Sequence, residues 1–110
     1  MTIEIHNTQG KIAANLLSYL KVEVLDLSKK YTGISRAEVF LKEDKSIDAV
    51  ENKVCEIRLI IFGDDTMVHV RRKSFSLAAK EAIRELKKFV LQLVKKQHDI
   101  SETILSSVDV

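Results

Sequence analysis

Polar and apolar residues alternate over Thr2-Ile3-Glu4-Ile5-His6, which predicts a short strand with Ile3 and Ile5 facing a core. Asn7 through Gly10 then turn the chain. From Lys11 to Lys30 the apolar residues Ile12, Leu16, Leu17, Leu20, Val24 and Leu27 fall on one stripe, the mark of an amphipathic helix. Thr32-Gly33 stops it, since glycine tolerates the left-handed conformation that commonly ends helices. Arg36 to Lys42 alternates strictly and Val54 to Phe62 is rich in β-branched residues, so the two segments read as an antiparallel pair of strands. The polar, acidic stretch from Glu43 to Asn52 reads as a mobile loop between them.

Gly63-Asp64-Asp65-Thr66 has the composition of a tight reversal, which returns Met67 to Arg72 as a further antiparallel strand with Val68 and Val70 inward. Ser74 caps a second helix, predicted from Phe75 through Gln97, with Ala79, Ala82, Ile83, Leu86, Val90 and Leu93 as its buried stripe. The expected fold is α+β, a two-layer sandwich in the order β-α-β-β-β-α. Its four-stranded sheet carries both helices on one face, because each helix has one apolar stripe and the strands offer one consistently apolar face. The other face is mixed, with Glu38, Lys42, Glu56 and Arg58 beside Phe40, Ile60 and Phe62. Residues 1–97 form the expected domain and 98–110 a short, acidic, flexible tail.

A chain of 110 residues with 45% hydrophobic and 31% charged residues suits one soluble globular domain. It has neither the roughly 18 uninterrupted apolar residues of a membrane span nor an export signal. A lone cysteine, Cys55, fits a reducing compartment, and the expected address is the cytoplasm. Three separated histidines give no zinc spacing and three isolated glycines no phosphate-cradling loop, so no metal, cofactor, small-molecule substrate or enzymatic activity is expected. Alternation puts Cys55 on the helix-covered face, where thiols pack rather than react.

Charge is segregated. Arg71, Arg72, Lys73, Lys80, Arg84, Lys87, Lys88, Lys95 and Lys96 face only Glu81 and Glu85 between Met67 and His98, an excess of seven positive charges in a chain whose total is +2. The remainder is therefore acidic, at −5. Lys80, Arg84 and Lys88 recur every four residues, with Lys87 and Lys95 close to the same line, so they stack on the solvent side of the second helix. Arg71-Arg72-Lys73 extends that surface around the helix's N-terminal edge. A face of one sign attracts a polyanion, and the absence of interleaved tryptophan or tyrosine favours backbone recognition of structured RNA over base stacking.

Ala37-Glu38-Val39-Phe40-Leu41, the acidic loop, Glu51-Asn52-Lys53-Val54-Cys55-Glu56-Ile57-Arg58-Leu59, Gly63 and Lys73-Ser74-Phe75 together resemble the bacterial sigma-54 modulation, or ribosome hibernation promoting factor, family. That resemblance implies a domain entering the decoding channel of the small ribosomal subunit, where it displaces messenger and transfer RNA and silences idle ribosomes. It implies ribosomal RNA contacts by Lys21, Lys30, Lys80, Arg84, Lys88 and Lys95, and a short form without the C-terminal domain of longer relatives. Two other readings remain open: a general double-stranded RNA module, and a protein-interaction domain using the sheet face around Phe40, Ile60 and Phe62. The chain is expected as a monomer or a weak dimer through that face.

Overall fold

A computed structural model of the chain describes residues 2–7, 12–44 and 50–108, with side chains as far as residue 96. Positions 8–11 of the expected first turn and 45–49 of the expected acidic loop lie outside the described residues. The elements run β1 (Thr2–Asn7), α1 (Ala14–Lys30), β2 (Ile34–Glu43), β3 (Lys53–Ile61), β4 (Asp64–Arg72) and α2 (Phe75–Val108). They build the predicted α+β arrangement around one four-stranded sheet in the order β1-β2-β3-β4.

Helix α1 carries the chain back along the sheet, so β1 and β2 pair in parallel, with Ile3 opposite Ala37 and Ile5 opposite Val39. The β2–β3 and β3–β4 pairs are antiparallel. Alternation along the strands then sends Ala37, Val39, Leu41, Cys55, Ile57, Leu59, Ile61, Val68 and Val70 to one face, where all are buried against Leu20, Val24 and Leu27 of α1 and Ala79, Ala82, Ile83, Leu86 and Val90 of α2. Ala78 also joins this core, beside the predicted α2 stripe. Leu93, Ile12, Leu16 and Leu17 pack partly buried at its margin.

Several boundaries differ from the sequence expectation. Helix α1 begins at Ala14 rather than Lys11, because Ala13 is extended (φ −58°, ψ 136°) and its carbonyl receives the amides of Leu16 and Leu17. It ends at Lys30, with extended Tyr31 closing on the Leu27 carbonyl, and Gly33 is not left-handed. What Gly33 supplies is room, since the ring of Phe62 lies against it where any Cβ would collide. The β3–β4 reversal is Phe62-Gly63, both at positive φ (52° and 81°), so Asp64, Asp65 and Thr66 belong to β4 instead of the turn. This is the backbone that a two-residue hairpin connection requires. The helical backbone of α2 continues past Gln97 to Val108, consistent with the absence of glycine or proline between Phe75 and Val108.

Phe62 consequently leaves the strand pattern and does not share the open face with Phe40 and Ile60. That face is ionic. Arg36 donates to Glu38 at 2.9 Å and to Glu4 at 3.3 Å, Lys42 lies 3.0 Å from Glu56, and Arg58 donates to Asp65 at 2.9 Å. Phe40 is half-buried beneath His6, whose ring stacks on it at 4.7 Å. The apolar patch expected around Phe40, Ile60 and Phe62 is thus broken up, one ring covered and one carried into the turn. No helix is long and apolar enough to cross a membrane, among the described residues.

Candidate nucleic-acid interface

Helix α2 is positioned by its start. Ser74 Oγ accepts the Leu77 amide at 3.2 Å, the predicted cap, and Ala78, Ala79, Ala82, Ile83, Leu86 and Val90 then anchor one side of the helix to the sheet. With 3.6 residues per turn the opposite side must carry positions 80, 84, 88 and 91. Lys80, Arg84, Lys87, Lys88, Leu91 and Lys95 are all exposed. Lys73 is exposed just ahead of the helix.

The sequence candidates divide into two groups by what their charges meet. Arg71, Arg72 and Lys87 are held by carboxylates: Arg71 by Asp44 at 3.0 Å, Arg72 by Glu81 at 2.5 Å and Lys87 by Glu23 at 2.7 Å. Lys21, Lys30, Lys73, Lys80, Arg84, Lys88 and Lys95 have no carboxylate within 4.0 Å among the described residues. Seven of the ten therefore offer a cation to solvent, and the three that do not are specified by their neighbours rather than by their own residue type.

The Arg71-Arg72-Lys73 run does not form one continuous extension of the α2 surface, as the sequence suggested. Arg71 pairs across the sheet with Val54 and shares the open face with His69 and Met67, while Arg72 falls on the helix side and reaches Glu81 of α2. Successive strand residues point to opposite faces, so two adjacent arginines cannot serve one surface. The Arg72 guanidinium, through its hydrogen bond and its charge, holds the Glu81 carboxyl below the usual carboxylate range against the opposing effect of desolvation.

Helix α1 lies beside α2 and supplies what the linear sequence hid. Tyr19, half-buried, lines a recess with Lys80, Ile83, Arg84 and Lys87, and a second recess with Asn15, Leu16, Ser76 and Lys80. An aromatic ring thus stands among the cations although none interleaves them along α2. Only the α1–α2 packing could reveal it. Further along, a groove of about 500 Å³ is lined by Glu23, Asp26, Lys30, Lys87, Lys88 and Leu91, together with Leu27 and Tyr31. Lys30 is brought opposite Lys88 here and also lies 5.6 Å over the Tyr31 ring. Lys21 lines none of these recesses.

Two other reactive groups were singled out by the sequence. Cys55 is fully buried, and desolvation, followed by the nearby Glu56 charge, pushes its thiol up to about 12, so it is protonated and inert at neutral pH. β1–β2 pairing brings His6 to 3.3 Å from Glu4 and 3.6 Å from Glu38, a donor group that spacing along the chain could not show, and His69 is not part of it. Arg36 already pairs with both carboxylates.

No protein-family model matches the chain, and no curated protein matches it by sequence. Solved structures do. A ribosomal subunit interface protein from Coxiella burnetii superposes with a TM-score of 0.66 at 13% identity, over 89% of this chain and 99% of that one. The N-terminal domain of Protein Y from Thermus thermophilus does so with a TM-score of 0.66 at 19% identity, over 84% of this chain and 99% of that one. At such identities what is shared is the fold, the same β-α-β-β-β-α arrangement that the sequence pattern predicts.

Proposed function

We propose that this chain binds the small ribosomal subunit through the α2 face, by contacts to ribosomal RNA phosphates, and so suppresses translation. It acts by occupancy rather than by chemistry, in the cytoplasm where its target resides. The observation that carries this reading is the line of cations Lys80, Arg84, Lys88 and Lys95, none within 4.0 Å of a carboxylate among the described residues, along the solvent side of a helix whose other side is locked into the core. Lysine and arginine held on a rigid helix at intervals of one turn are suited to successive phosphates, and they lose little freedom on binding.

Two further observations support it. The fold is shared with a protein described as a ribosomal subunit interface protein, and the sequence resembles the hibernation promoting factor family over most of its length. Lys73 at the head of α2 and Lys30 at the end of α1 extend the contact surface to either side. Arg71, Arg72 and Lys87, engaged with carboxylates in the free protein, contribute less.

Sucrose-gradient profiles of translation extracts with and without the protein, at two salt concentrations, test the proposal. The protein should travel with the small-subunit fraction and reduce polysomes at low salt, and leave that fraction at high salt. Migration at the top of the gradient in both, or tight association with plain duplex RNA and none with ribosomes, would replace this reading with another.

A further inference from the structure

We infer that Glu23 of α1 is an internal competitor for the phosphates that α2 attracts, and that it divides the inter-helix groove into an anion-accepting end and an anion-excluding end. The inference rests on the reading of α2 as a phosphate-binding face.

Lys87 stands at the division. It lines both the recess formed with Tyr19, Lys80, Ile83 and Arg84 and the larger groove that contains Glu23 and Asp26. The first recess has no carboxylate among its lining residues, and the second has two. The Lys87 ammonium lies 2.7 Å from Glu23 Oε2, with the glutamate side chain only 25% exposed and therefore pinned beside it. The hydrogen bond to Glu23 raises the Lys87 ammonium above its ordinary range, and the charges of Glu23 and Asp26 add to this.

A carboxylate hydrogen-bonded to an ammonium presents the same chemistry as a phosphate oxygen at that position. A phosphate approaching Lys87 must displace Glu23 or settle beside another anion a few ångströms away, and either weakens the contact. Lys80 and Arg84 have no carboxylate within 4.0 Å among the described residues, the charge of Glu81 reaching Arg84 only at longer range, and Tyr19 flanks them with a ring. Within the inter-helix groove a polyanion is thereby favoured at the end around Lys80 and Arg84 and meets Lys30 only past the carboxylate gap, while Lys88 and Lys95 stay open to it along the solvent side of α2. The +7 excess of the α2 segment overstates the field in the groove, because α1 returns negative charge to its middle.

The test is a double-mutant cycle with Glu23→Gln, Lys87→Gln and the two combined, read on heparin resin and on purified small subunits. Glu23→Gln should elute from heparin at higher salt and bind small subunits about three- to tenfold more tightly, with a salt dependence steeper by about 0.7–0.9 in log-log slope, one added phosphate contact. Lys87→Gln alone should change either readout little, and in its background the gain from Glu23→Gln should vanish. A gain of equal size with Lys87 present or absent would mean only a shift in net charge, and would overturn the inference, as would no gain at all. If the heparin cycle behaves as expected while no variant associates with small subunits, the ribosomal reading fails and the role of Glu23 stands.

Discussion

Arg72 donates to Glu81 across the corner where β4 enters α2, its Nε 2.5 Å from Oε2, while Arg71 beside it turns to the other face of the sheet and donates to Asp44 at 3.0 Å. The pair ties the last strand to the helix that carries the cations. It also takes Arg72 out of the solvent-facing charge.

The Glu81 carboxyl is held below its ordinary value of 4.5, first by the Arg72 hydrogen bond. A carboxylate whose folded-state pKa is depressed contributes stability above its unfolded pKa and loses it as pH falls through the lower folded value. Arg72→Gln should therefore melt below the parent protein at neutral pH, with the gap closing once the pH is taken under the folded value, as thermal unfolding followed across that range by circular dichroism would show. The same substitution should leave small-subunit binding within about threefold, the size of a remote screened charge.

Gly33→Ala should destabilise the fold by up to about 1 kcal/mol, the low end for forcing added volume into an occupied space, because the exposed Phe62 ring can swing aside. The new methyl runs into the Phe62 ring. Removing that ring first, in Phe62→Ala, should abolish most of the cost, so chemical denaturation of the two single variants and the double would give clearly non-additive values. Additive losses would place the defect elsewhere.

Cys55 should resist alkylation in the native protein even at mildly alkaline pH, because a thiol pushed up to about 12 leaves almost no thiolate. One equivalent of thiol should appear when denaturant is added. Mass spectrometry after timed exposure to iodoacetamide reads both states.

Periodicity was enough to place the faces of β2 and β3 and the apolar stripes of both helices, since those patterns depend only on which neighbours along the chain share a side. It failed where the determinant is non-local. Phe62 extends the strand pattern of Val54 to Ile61, yet it adopts a left-handed conformation at φ 52° in a turn where asparagine or glycine is usual, and its ring finds Gly33 across the sheet edge. The contact of His6 with Glu38 requires the parallel β1–β2 register, which is set by the crossover through α1. In the candidate interface, the exposed line of Lys80, Arg84, Lys88 and Lys95 could be read from spacing alone. Tyr19 could not, and neither could the carboxylates that engage Arg71, Arg72 and Lys87, because each arrives from another element.

The most direct measurement is cosedimentation of the protein with purified small ribosomal subunits over a series of salt concentrations, comparing it with a variant carrying Lys80→Glu, Arg84→Glu and Lys88→Glu. All three side chains are exposed, so the variant should keep its far-ultraviolet circular dichroism and cooperative melting. The account predicts that binding of the parent protein falls with a log-log salt slope of about three or steeper, as at least four phosphate contacts require, and that the variant loses about a hundredfold or more in affinity. Binding by the variant equal to that of the parent, or binding indifferent to salt, would contradict it.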